Sequence, residues 1–103
     1  HRDFPNLKII AAHFGGYERW DEGQEYIAGL ENVKVDTCSS MYFLGTDKTR
    51  KLISKFGIEN CFFGVDFPMW RHIDELKMLF DLNLSHDDNQ KILADNFKSF
   101  MNI

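Results

Sequence analysis

Apolar residues in this chain fall into two patterns: short, nearly unbroken runs, and longer stretches in which apolar positions recur every three or four residues. The first run, Leu7 to Ala12, follows a turn at Pro5 and Asn6 and is stopped by Gly15 and Gly16. Such a run predicts a strand buried on both faces. Tyr17, Trp20, Tyr26, Ile27 and Leu30 then recur at loose helical spacing and predict a helix over 17–30, with Gly23 a point where it breaks. After Asn32, the alternation of Val33, Val35 and Thr37 predicts a second strand that ends in small polar residues. The stretch "TDKTRKLISKFG" puts Leu52, Ile53 and Phe56 on one side of a second helix, with Thr46 or Asp47 as its N-cap and Gly57 as its stop. "ENCFFGVDFP" repeats the first pattern as a third buried strand, closed by Pro68. Two helices follow, one over "RHIDELKMLFDLNL" and one opening at Ser85, with acids in its first turn and Ile92, Leu93, Phe97 and Phe100 as its stripe.

The order is β, α, β, α, β, α, α, with no internal linker, so residues 1–103 read as a single α/β unit of three consecutive βα units. Alternation of this kind implies parallel strands joined by right-handed crossovers. A sheet of three such strands leaves two edges unpaired beside doubly apolar strands. A closed (β/α)8 barrel needs about 250 residues. This chain supplies three of its eight units.

Composition narrows the partners. With 44% hydrophobic and 27% charged residues the chain is an ordinary globular sequence, and its fifteen per cent of aromatic residues implies a tight core or apolar surface meant for a partner. The formal charge of −4 is spread over interleaved acids and bases, which removes the basic face that nucleic-acid binding needs. No apolar run reaches the roughly 20 residues that span a bilayer, and no signal peptide opens the chain. We therefore expect a soluble, cytoplasmic protein. Cys38 and Cys61 read as buried free thiols inside strands, as in a reducing compartment. The chain opens on His1 and enters a strand within a few residues, as a piece of something longer would.

In parallel α/β folds functional residues collect at the carboxyl ends of the strands. His13 and Asp66 hold that position in the first and third strands, and both would face the same side of the sheet. An imidazole and a carboxylate there suit a divalent metal and a water that it acidifies. Taken alone, the spacing leaves two readings open for each: a ligand or catalytic group, or a structural histidine and a turn aspartate.

The segments "FPNLKIIAAHFGG", "NVKVDTCSS", "CFFGVDFP" and "NQKILADNFKSFM" together resemble, in order and spacing, the carboxyl-terminal part of the amidohydrolase-related family, which includes aminocarboxymuconate-semialdehyde decarboxylase. The resemblance covers essentially the whole chain. It implies the last three strands of a (β/α)8 TIM barrel. His13 would end the sixth strand as the catalytic, metal-proximal histidine that activates water. Asp66 would end the eighth as a metal ligand and candidate general base. Family members often carry Ser or Thr before this aspartate, and Val65 removes that hydroxyl. The family's His-x-His pair and its fifth-strand histidine would lie upstream of residue 1; His72, in a loop, and His86, at a helix start, do not replace them. Asn96 matches a family asparagine that bonds loop backbone. Trp20, Trp70 and Phe67 are candidates either for a substrate mouth or for packing.

The function expected from this resemblance is a metal-dependent hydrolase or nonoxidative decarboxylase that uses metal-activated water on a small carboxylated or cyclic substrate. The expected ion is zinc, although such donors also suit manganese or iron. Two ligands cannot fill a tetrahedral site, so the isolated 103 residues should bind metal weakly or not at all and be inactive. The other class of reading is a noncatalytic split module that pairs with a second copy or with the missing amino-terminal part of the barrel.

Overall fold

The computed structural model describes all of residues 1–103. Its strands, β1 (Ile9–Ala11), β2 (Val33–Asp36) and β3 (Cys61–Phe62), lie side by side in that order and run parallel. Ile9 pairs with Val33 and Ala11 with Val35, while Val35 and Asp36 pair with Cys61 and Phe62. The α/β order read from the pattern is therefore the observed one. The strands are shorter than their apolar runs, and two-sided burial fails for β1. Ile10 is 42% exposed and Leu7, just before the strand, 55%. Val33 and Val35 are buried while Lys34 and Asp36 are only half-buried, so most of the sheet is covered on one face.

That covered face holds the core, in which Phe14, Val35, Leu52, Ile53, Phe56 and Leu79 are central. Helix α1 (Trp20–Ile27) starts later than its apolar spacing suggests and runs through Gly23 without a break. Gly23 is needed for contact: a Cβ there would lie 2.9 Å from the Gly15 carbonyl oxygen and 3.2 Å from the Gly16 Cα. Helix α2 (Met41–Phe56) is kinked at Gly45, whose φ of 76° no helix tolerates. The regular part thus begins beside Thr46 and Asp47, where the sequence put its start. Helix α3 (His72–Phe80) includes His72, which is helical and exposed and does not lie in a loop.

The last helical run opens as α4 (His86–Gln90), where the Ser85 hydroxyl accepts from the Asp88 amide at 3.1 Å. It continues through a π-helical turn (Lys91–Asp95) into α5 (Asn96–Met101). Within the π turn the Asn96 amide donates to the Lys91 carbonyl, leaving the Ile92 carbonyl without its α-helical partner. The Phe63 amide, just past β3, donates to that oxygen at 2.9 Å. The Asn96 side-chain nitrogen donates to the Ile58 and Cys61 carbonyls at 2.6 and 2.9 Å. Phe97 and Phe100 cover Phe62 with ring centroids 5.6 and 5.8 Å away. The final helix thereby fixes the strand that leads to Asp66. No helix of the chain is long and apolar enough to cross a membrane.

Candidate active site

Each strand is followed by a residue whose backbone lies in the left-handed region. His13 has φ 59° after β1, Ser39 φ 50° after β2 and Asp66 φ 65° after β3. Non-glycine residues occupy this region at a cost, and such strain gathers where function demands it. Phe14, also left-handed and fully buried, anchors the first turn in the core beneath His13.

Hydrogen bonds tie these ends together. One oxygen of Asp36 accepts from the His13 amide at 3.0 Å, the Cys38 amide at 3.1 Å and the Cys38 thiol at 2.6 Å. The His13 ring nitrogen Nδ1 lies 2.9 Å from the Cys38 carbonyl oxygen. A carbonyl can only accept, so this contact requires the proton on Nδ1. Trp20 Nε1 donates to the His13 carbonyl at 3.0 Å and reaches the Ser40 hydroxyl at 3.3 Å. Asp66 accepts from the Ser39 hydroxyl at 2.6 Å, and that hydroxyl accepts from Trp70 Nε1 at 2.9 Å. The rings of the two tryptophans are joined through Phe43, with centroids 6.5 and 5.9 Å away.

His13 and Asp66 face each other at 3.6 Å between Nδ1 and Oδ2, with side chains 31% and 42% exposed. They line a small cavity of about 190 Å³ with Tyr17, Ser39 and Met69. A larger groove beside α2, lined by Asp47, Arg50, Lys51 and Ser54, lies away from the strand ends and holds none of these groups. A third metal-competent side chain enters the site. Candidate ligand atoms of His13, Cys38 and Asp66 all lie within 4.8 Å of one another. Nitrogen, sulfur and carboxylate donors are those of a borderline-soft divalent metal; His13 and Asp66 fit such an ion, whereas the Cys38 thiol, which donates to Asp36, would have to lose its proton to join them. Burial first, then its hydrogen bond to Asp36, pushes the Cys38 thiol well above its ordinary range. Cys61, in β3, is pushed up to about 12, mainly by burial. Both cysteines are free and buried, as the sequence implies. Cys38, however, lies beyond the end of β2 and belongs to the site.

The structure thus unites the two residues singled out from sequence. Trp20 and Trp70 serve as hydrogen-bond donors to the strand-end loops, whereas Phe67 is 70% exposed. His72 and His86 are exposed on helix starts and stay outside. Sequence reasoning missed Asp36, Cys38 and Ser39 as members of the site. Their only signal was the polar cluster "DTCSS" that closes the second strand.

Residues 1–96 match the family model described as Amidohydrolase. Solved structures with the same fold include 2,6-dihydroxybenzoate decarboxylase from Rhizobium, 16% identical, with a TM-score of 0.75 over 98% of this chain and 36% of that one. A dihydroxybenzoic acid decarboxylase from Polaromonas, with bound manganese and the inhibitor 2-nitroresorcinol, is 20% identical, with a TM-score of 0.74 over 98% of this chain and 35% of its own. A putative 2-pyrone-4,6-dicarboxylic acid hydrolase from Pseudomonas putida is 20% identical, with a TM-score of 0.67 over 94% and 44%. The chain therefore spans less than half the length of these relatives. No curated protein sequence matches it.

Proposed function

The chain belongs to the amidohydrolase family, and on that premise we propose that residues 1–103 are the last three βα units of a (β/α)8 barrel, with β1, β2 and β3 as strands six, seven and eight. The whole protein is then a metal-dependent hydrolase or nonoxidative decarboxylase that uses activated water on a small carboxylated or cyclic substrate. The observation that carries this reading is the pairing of His13 and Asp66 at 3.6 Å, on two parallel strand ends that both adopt left-handed backbone. The manganese held by the Polaromonas relative supports a divalent ion; zinc is the ion we expect for these donors.

When bound, the metal supplies positive charge that acidifies water and polarises a substrate oxygen. Asp66 would hold it, with its carboxylate oriented by the Ser39 hydroxyl. His13 keeps its Nδ1 proton on the Cys38 carbonyl, so proton transfer runs through Nε2. In hydrolysis Nε2 would take a proton from the attacking water; in decarboxylation it would first take a proton from water and then hand it to the carbon as carbon dioxide leaves. Asp36 ties the His13 backbone to the end of β2 and fixes the distance over which this works.

By itself the 103-residue chain is inactive and associates with the rest of the barrel or with another copy. The exposed Leu7, Ile10 and Met69 support this second reading, since they leave apolar surface open along the sheet and site. In the protein that carries the complete site, Asp66→Ala should abolish turnover while circular dichroism stays unchanged; retained turnover removes Asp66 from the mechanism. Calorimetric titration of the isolated chain with zinc should give only weak binding, and tight stoichiometric binding would make these residues a self-sufficient centre.

A further inference from the structure

We propose that Ser39, fixed by Trp70, is the positioning residue that sets the orientation of the Asp66 carboxylate. Ser39 is buried at 4% exposure, and its hydroxyl is the one side-chain donor within hydrogen-bond distance of that carboxylate, at 2.6 Å. His13 Nδ1, at 3.6 Å, is too far to share the task.

The direction of the relay is fixed by chemistry. An indole N–H can only donate, so Trp70 Nε1 occupies a lone pair of Ser39 Oγ and turns the hydroxyl proton toward Asp66. The carboxylate accepts it on Oδ2 and leaves its other oxygen free. Trp70 in turn is held by ring contacts to Tyr42 and Phe43, at centroid distances of 5.5 and 5.9 Å. The donor at the head of the relay therefore packs its ring on α2, while its backbone amide belongs to the Asp66 turn and donates to the Asp66 carbonyl at 3.4 Å.

The backbone of Ser39 carries the second half of the argument. Its φ of 50° favours glycine, so stability alone would place glycine there. What serine adds at this position is the hydroxyl. Ligating carboxylates are themselves held by hydrogen bonds, and loss of such a partner weakens metal binding about 10–100-fold. The proposal rests on the reading of Asp66 as a metal-holding group, and its test separates the two.

Nuclear magnetic resonance of the 103-residue chain reads the Asp66 side-chain torsion from its Hα–Hβ couplings. Wild type should show one rotamer. Ser39→Gly should show averaged couplings in a chain that stays folded, since the relieved left-handed strain offsets part of the lost hydrogen bonding. Trp70→Phe, which keeps a ring and loses the N–H, should also average them. A merely structural serine would leave the Asp66 rotamer alone. A single Asp66 rotamer in folded Ser39→Gly overturns the proposal. Manganese titration of the protein that carries the complete site, followed by paramagnetic broadening of Asp66 and His13 resonances, should need about 10–100-fold more metal in Ser39→Gly. If manganese broadens neither resonance in that complete protein with its native Ser39, the metal reading of Asp66 fails, while the couplings still decide the role of Ser39.

Discussion

Glu75 is the buried group whose removal tests the energetics of the fold most directly. It lies in the first turn of α3 at 1% exposure, and neither carboxylate oxygen has a hydrogen-bond partner. Burial, followed by the charges of Asp66 and Asp74, pushes its carboxyl up from the ordinary 4.5 to about 7. The folded chain therefore holds this proton more tightly than the unfolded chain does. The stability that the protonated form provides is fully present below about pH 4.5 and is lost as pH rises through about 7. Between pH 5 and pH 8 the loss amounts to about 2–3 kcal/mol, a large fraction of a small domain's stability. Glu75→Gln keeps the shape and removes the ionisation. Urea unfolding followed by tryptophan fluorescence at both pH values measures the effect. The variant should match wild type within about 1 kcal/mol at pH 5 and exceed it by about 2–3 kcal/mol at pH 8. Parallel pH profiles for the two proteins would refute the reasoning.

Two further substitutions test the packing around the site. Gly23→Ala should destabilise the chain by about 1–3 kcal/mol although alanine is the better helix former by about 1 kcal/mol, because its Cβ would meet the backbone of the Gly15 turn; a raised melting temperature would show that α1 and the turn move apart freely. Asn96→Ala strips two buried carbonyls of their donor and should lower the unfolding free energy by about 1–3 kcal/mol, with amide exchange quickened at Phe63; unchanged stability would mean that the π turn alone fixes β3.

The alternation of apolar runs and helical spacing was enough to read the order of elements and the parallel sheet, because each strand feeds a helix that returns it to the same edge. The strand lengths were not legible. Apolar residues at 7–12 and 61–65 continue past the hydrogen-bonded ladder, where Phe14 and Val65 serve the core from loops. His13 and Asp66 could be found because they end apolar runs. Ser39 and Cys38 could not, since their roles depend on a left-handed turn and on the register of β2 against its neighbours. Val65 is instructive here. The hydroxyl that the family resemblance leads one to miss before Asp66 reaches the carboxylate from Ser39, across the sheet, and no spacing along the chain announces that.

The backbone itself argues that the strand ends serve function. Away from the strand ends, left-handed backbone falls mostly on residues that tolerate it, Gly29, Asn32, Gly57, Asn83 and Asn102, with the exposed Glu18 as an exception. At the three strand ends the chain uses His13, Ser39 and Asp66 instead; Asp66 tolerates the region nearly as asparagine does, while Ser39 is strained by about 1–2 kcal/mol. Glycine or asparagine would fit all three turns and relieve that strain. The contacts that offset it are specific: Asp36 and the Cys38 carbonyl hold His13, Ser39 holds Asp66, and Trp70 holds Ser39. Stability alone has no use for such an arrangement. A chain that must present an imidazole and a carboxylate to one small cavity does, because the left-handed turn swings each side chain out of the strand's alternation and toward the common site.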